Sequence, residues 1–148
     1  MGIPYFYRSV IDKYPNLIND NINKTIDNLY FDLNGLLHPV SARYYKSHPF
    51  PEDTIVFRAI IDEILKLVKY VNPKKNVFIA IDGVAPMAKI YQQRQRRFKS
   101  MIYNKMIDKK WDSNQISPGT DWMNRLDIYL QNNLKKSMPL NLQIVYSS

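Results

Sequence analysis

The stretch Val77-Phe-Ile-Ala-Ile-Asp-Gly-Val-Ala-Pro-Met-Ala-Lys-Ile-Tyr-Gln-Gln-Arg-Gln-Arg-Arg-Phe98 decides the fold. Its first five residues, Val77 to Ile81, are a short apolar run that reads as a buried strand. The run stops at a carboxylate, Asp82, followed at once by Gly83. Pro86 then stands where the first turn of a helix tolerates a missing N–H. The helix it opens is crowded with cations. A strand that ends in an acid, next to a helix full of bases, suits a site that holds a metal and handles an anion.

Outward from that stretch, the same pattern repeats. Asn28 to Leu33 is a second apolar run with an aromatic pair, ending in Asp32-Leu33-Asn34-Gly35, where glycine favours a turn. Leu142 to Tyr146 is a third. Helical spacing appears at Phe6, Tyr7, Val10, Ile11 and Tyr14, and again in the wide stripe Ile60, Ile61, Ile64, Leu65, Leu67 and Val68 before Pro73. Asp53 or Thr54 is expected to cap the latter helix, and Thr120 a further one that Pro139 ends. Residues 16–27 are polar and read as a loop. So do residues 38–53, with three prolines, two histidines and no period. Tyr5, Phe6, Tyr7, Trp111 and Trp122 are expected in the core. The order strand, helix, strand, helices, strand predicts an α/β fold: a parallel sheet with right-handed crossovers and flanking helices, in one domain over residues 1–148 without internal boundary.

Ligands of such sheets bind outside the carboxyl ends of the strands. Asp32 and Asp82 both fall there. Two such carboxylates in one crevice repel unless a cation or a raised pKa relieves them, and hard divalent ions take oxygen ligands of this kind. As a bare pair they fit strand-end caps equally well.

The chain of 148 residues has a formal net charge of +8 and no cysteine. Disulfides and thiolate metal sites are therefore excluded. Its apolar runs fall well short of the roughly 18 residues of a membrane span, and residues 1–14 lack the apolar core of a signal peptide. Met-Gly at the start does not make a myristoylation signal, because Phe6 stands where Ser or Thr is needed. Lys89, Arg94, Arg96, Arg97, Lys99, Lys105, Lys109 and Lys110 face a single acid, Asp108, between Pro86 and Lys110. A concentrated positive patch is the footprint of a polyanion partner, although charge alone fits a solvated helix face equally. On a regular helix Lys89, Gln93, Arg96 and Arg97 span an arc of about 100°, with Met87, Tyr91, Phe98, Met101 and Ile102 roughly opposite and free to face the core. Arginine forks suit phosphate oxygens.

Three segments carry a resemblance to a known family. Met1-Gly-Ile-Pro-Tyr-Phe6, Tyr30-Phe-Asp-Leu-Asn-Gly-Leu-Leu-His38 and Ala80 to Phe98 resemble the XRN-type 5′→3′ exoribonucleases. Ser117-Pro-Gly-Thr-Asp-Trp-Met123 resembles a further segment of them, so the likeness covers essentially the whole chain. It implies a three-layer, PIN-like (Rossmann-like) nuclease core and removal of nucleotides from RNA with a 5′ monophosphate. It implies two Mg²⁺ (or Mn²⁺) ions, with Asp32 and Asp82 as the first two acidic metal positions. Lys89, Gln93, Arg96 and Arg97 match its 5′-phosphate pocket, and His38 the histidine that stacks on the first base. Met87 stands where relatives usually carry a basic residue.

In that family the last strand leads into a Gly-Glu-Gly-Glu segment with further acidic ligands, absent from these 148 residues. The expectation is weak metal binding and little turnover by this polypeptide alone. It reads as the amino-terminal part of a larger nuclease, a split gene product or a cut-down relative, partnered by the remaining catalytic segment as a continuing or separate chain. No membrane partner is expected, and an intracellular site is, cytoplasm ahead of nucleus. The alternative is a catalytically incomplete module that grips RNA 5′ ends. A HAD-like phosphatase ranks low, because Asn34 occupies the position of its second aspartate.

Overall fold

The computed structural model describes residues 5–17, 25–48, 52–106 and 111–148. Met1 to Pro4 of the first motif, residues 18–24 of the polar loop, residues 49–51, and Asp108, Lys109 and Lys110 of the cationic stretch lie outside the described residues.

Three strands form the sheet: β1 (Asn28–Asp32), β2 (Asn76–Ala80) and β3 (Gln143–Ser147). They lie side by side in chain order and all parallel, with Tyr30 opposite Phe78 and Phe78 opposite Val145. β2 and β3 are each displaced one residue from the apolar runs that predict them. Ile81 continues the ladder through its N–H to the Ser147 carbonyl, at 2.9 Å.

Side chains alternate across the sheet. Val77 and Ile79 are buried, and Leu29, Phe31, Ile144 and Tyr146 pack with them into one core. Three helices supply the other half of that core: α2 (Asn34–Ser47), α3 (Asp53–Val71) and α5 (Asp121–Ser137). α3 is central, with Val56, Phe57, Ile60, Ile61, Ile64 and Val68 buried, and it packs on α2 and on α5. Each such side chain contributes about 1.5–3 kcal/mol of burial. β1, β2 and β3 follow one another in space, so both crossovers step the same way. Right-handed connections then lay their helices on the same face. Among the described residues no helix covers the opposite face to the same degree, and Tyr30 on it is 70% exposed.

The region 38–53 differs from its expected loop, because α2 runs through Pro39 to Ser47. Leu33 N–H still bonds the Ala80 carbonyl, and the Leu33 carbonyl already accepts from Leu36 and Leu37. The chain passes from strand to helix with no intervening turn at Gly35. Pro39 withholds one helical N–H, but Leu33, Leu37, Val40 and Ser41 are buried on one side and hold the helix by packing. The cap of α3 also differs: neither Asp53 nor Thr54 is the N-cap residue, which is Glu52, whose side chain makes no capping bond to the helix backbone. The Asp53 carboxylate instead accepts from the Tyr45 hydroxyl at 2.8 Å and from Arg125. The Tyr45 hydroxyl accepts in turn from Trp122 Nε1, and its ring stacks on Trp111 at 4.5 Å. Trp111 and Trp122 are buried as expected. Tyr5, Phe6 and Tyr7 are not. They sit at the start of α1 (Phe6–Lys13), which buries none of its residues, and Tyr5 is 85% exposed. The helix has the amphipathic spacing but no described element covers it.

Candidate functional site

The carboxyl ends of the strands carry two clefts. The first is cationic, of about 280 Å³, and is lined by residues of both α2 and α4 (Met87–Met106). Its walls are His38 from α2, Arg96, Arg97 and Ser100 from α4, and Ser113, Asn114, Ile116 and Ser117 from the segment before α5. Residues far apart in sequence thus converge on one small polar space.

α4 is turned in an unusual sense. Lys89, Gln93, Arg97 and Ser100 are half-buried and Arg96 is exposed. Met87, Tyr91, Phe98, Met101 and Ile102, expected to face the core, all point to solvent. Met87 is 83% and Phe98 59% exposed. The polar side of the helix lies toward the fold and the apolar side away from it. No described side chain of α4 is buried. Pro86 starts the helix by offering its carbonyl to Lys89 and Ile90 N–H, at 2.9 and 3.0 Å.

His38 stays exposed, but partial desolvation of its ring, first, and the Arg96 charge, second, hold it below the usual histidine range. Its imidazole is therefore neutral at pH 7. A neutral ring beside two guanidinium groups can stack on a base while the cations take an anion. Ser100 was legible from helix phase, since it follows Arg96 and Arg97 by four and three residues. Ser113, Asn114 and Ser117 come from another element, and no pattern within α4 announces them.

The second cleft is acidic, of about 540 Å³, and holds Asp82, Asp121 and Asp127. Residues 81–84, Pro118 to Asp121, the start of α5 and Ser148 line it. Asp127 is engaged: it accepts from Tyr146 Oη at 2.6 Å and from Gln131 at 2.9 Å. Burial, then the bond to Asp127, raises the Tyr146 phenol far above its ordinary range. Asp32 does not line this cleft. It ends β1 in register with Ala80, two residues before Asp82, and is exposed. Lys89 and Gln93 stand on the inward side of α4 but not in the cationic cleft. One segment separates the clefts: Ser113 to Ser117 face the cationic one and Pro118 to Asp121 the acidic one. Thr120 fixes it, since its hydroxyl reaches the Gln115 and Ser117 carbonyls and accepts from Met123 N–H at 3.3 Å, capping α5 as expected.

Asp32 and Asp82 offer oxygen donors of the type Mg²⁺ takes. Asn34 Oδ1, two residues beyond Asp32 in the chain, is buried without a hydrogen-bond partner. Among the described residues no three acidic or histidine side chains gather as a metal-holding group. The donors fit a divalent cation in kind. No described helix is long and apolar enough to cross a membrane.

Comparison with known proteins agrees with the motifs. The family model described as XRN 5′-3′ exonuclease N-terminus matches residues 1–148. The chain is similar to 5′-3′ exoribonuclease 1 of Homo sapiens, 37% identical over 155 residues that cover 88% of this chain and 9% of the relative. It is similar to 5′-3′ exoribonuclease 2 of Eremothecium gossypii, at 34% over 171 residues, 85% of this chain and 18% of the relative. With 5′-3′ exoribonuclease 1 of Schizosaccharomyces pombe the identity is 33%, over 99% of this chain and 13% of the relative. The chain spans less than a fifth of the length of these curated relatives. From amino-terminal motif to last strand, the chain belongs to the family of the XRN 5′-3′ exonuclease N-terminus.

Proposed function

We propose that this chain is the amino-terminal part of the catalytic domain of a metal-dependent 5′→3′ exoribonuclease, and that it holds the 5′-monophosphate end of RNA. One observation carries the reading: His38, Arg96 and Arg97 converge on one small cleft at the carboxyl end of the sheet, in a chain of this family. Arg96 and Arg97 take the terminal phosphate through charge-assisted bonds, with Lys89 and Gln93 continuing the donor surface along α4. His38, neutral at pH 7, stacks on the first base. The small cleft favours a monophosphate over a triphosphate by size. Asp32 and Asp82 would hold a divalent cation, which when bound would supply Lewis-acid charge to the phosphodiester. Further acidic ligands come from polypeptide beyond this chain, as its continuation or a separate partner.

The second reading, a module that grips RNA 5′ ends without cutting, is favoured by one contrast. The cationic cleft is assembled, whereas no group of three metal ligands gathers among the described residues. One experiment separates the two. The chain is incubated with 5′-monophosphorylated RNA and Mg²⁺ or Mn²⁺, alongside Asp32→Ala and Asp82→Ala. Metal-dependent release of mononucleotides, lost in both variants, supports the nuclease. Tight binding without release supports the module. Equal affinity for 5′-triphosphate and 5′-monophosphate ends overturns the assignment of the cleft.

A further inference from the structure

α4 poses a packing problem. Its apolar stripe faces solvent and no described side chain on it is buried, so the hydrophobic effect does little to fix where it lies. Yet the proposed pocket needs Arg96 and Arg97 at a set distance from His38 on α2. Some other contact must supply that restraint.

The segment before α5 supplies one. Asn114 Nδ2 donates to the Arg97 carbonyl at 3.4 Å. Among the described residues this is the one side-chain hydrogen bond between α4 and another element. The carbonyl is the backbone of the residue whose guanidinium lines the cleft, and a carbonyl oxygen has a second lone pair for such a donor. Asn114 is itself held. Its N–H bonds Asp112 Oδ1 at 3.0 Å, which caps the short 3₁₀ turn Ser113–Gln115. The Thr120 hydroxyl ties down the Gln115 and Ser117 carbonyls behind it. The latch is thus mounted on a braced wall, and it grips the helix at the residue that matters.

We infer that Asn114 is the positioning residue of the cationic cleft: by holding the Arg97 carbonyl it sets where the Arg96 and Arg97 guanidinium groups stand against His38, and so how selectively the cleft takes a terminal phosphate. This rests on the proposed 5′-end reading. Asn114 also lines the cleft, so hydrogen exchange at α4 distinguishes an effect through the helix from direct contact with the RNA. Its effect passes through α4, so its removal should erode discrimination between ends before it erodes general affinity for RNA.

The test measures binding of the full 148-residue chain to one oligoribonucleotide carrying either a 5′ phosphate or a 5′ hydroxyl, without metal, at one fixed salt concentration. Asn114→Ala should lower the phosphate-over-hydroxyl preference about two- to threefold, the low end for one hydrogen bond because this one is long at 3.4 Å, and leave hydroxyl-end affinity unchanged. Asn114→Asp keeps the shape, removes the donor and adds a negative charge. It should lose at least as much, and it serves if the alanine variant folds poorly. Hydrogen exchange of α4 around Arg97 should quicken in both. Asn133→Ala is the control, because Asn133 also bonds a helix carbonyl, that of Tyr129 at 2.8 Å, but lies away from the cleft. It should leave the preference intact. Unchanged preference in both Asn114 variants overturns the inference and leaves the 5′-end reading standing. Equal losses for both ends overturn it too, since they mean a merely structural role. A wild-type chain without preference overturns the 5′-end reading and the inference with it.

Discussion

Removing the Arg97 guanidinium is the most direct probe of the cationic cleft, and burial sets how much it should cost. A hydrogen bond to a charged group is worth about 1.5–3 kcal/mol. Arg97 is half-buried in the cleft wall, so water screens it only in part, and about 2 kcal/mol is a reasonable figure for its bond to a terminal phosphate. That is about a 30-fold loss of affinity. Arg96 lines the same cleft but is exposed, and exposed ion pairs are worth roughly 1 kcal/mol at most, about fivefold. Arg94 is exposed and lines neither cleft, so it should contribute only to general attraction. Arg97→Ala, Arg96→Ala and Arg94→Ala are compared by fluorescence anisotropy on labelled RNA with phosphate and hydroxyl ends, at matched ionic strength because phosphate contacts are salt-dependent. The order of lost phosphate preference should be Arg97, then Arg96, then Arg94. If Arg97→Ala weakens both ends equally, or Arg94→Ala matches it, the reasoning from burial fails and the helix is only a diffuse cationic surface.

His38 should titrate below 6.5 by NMR, and Arg96→Ala should raise it only partway, because partial desolvation is the larger cause. Since its folded pKa is depressed, the unfolded chain takes the proton first as pH falls. The His38 contribution to stability is therefore full above about 6.5 and is lost as pH drops toward the folded value. A His38 pKa at or above 6.5 contradicts this. Tyr45→Phe removes the hydroxyl that serves both Asp53 and Trp122, leaving the Trp122 N–H of a fully packed ring without its acceptor. Urea denaturation should show a loss of about 1–3 kcal/mol; a change near zero means the network adds nothing. Thr120→Val, nearly isosteric, should cost about 1–2 kcal/mol through the lost N-cap of α5, and wild-type stability in that variant counts against the capping geometry.

The strands were legible because each is a short apolar run with turn chemistry near its end, and α3 because its stripe is wide and uninterrupted. α2 was missed for a local reason. Leu33, Leu37, Val40 and Tyr44 do recur at helical spacing, but Pro39, the histidines and the prolines after residue 48 dominate the reading of that stretch. Packing against α3 outweighs what proline costs the helix. The orientation of α4 and α1 failed differently. Periodicity says that a helix has an apolar side, not that the fold will cover it. On α4 the donor side is turned inward because the cleft lies there, and on α1 no described element offers a partner surface. The same limit explains Asn114: its partner is a backbone carbonyl seventeen residues away, and a backbone acceptor leaves no mark in a sequence.

The two clefts are tied together by how the chain crosses between them. His38 comes from the helix after β1, and Arg96 and Arg97 from the helix after β2, so parallel pairing alone sets the cationic walls at one end of the sheet. Asp82 follows β2 and Ser148 follows β3, which places the acidic cleft at that same end. Between them stands the segment Ser113 to Asp121, common to both. It is braced by the Thr120 hydroxyl and turns at Gly119, whose φ of +84° suits a residue without Cβ. The spacing from one cleft to the other is therefore a property of this segment rather than of either set of charged residues. Substitutions of the charged residues of one cleft should leave the other intact, whereas loosening the shared wall at Thr120 should disturb both at once.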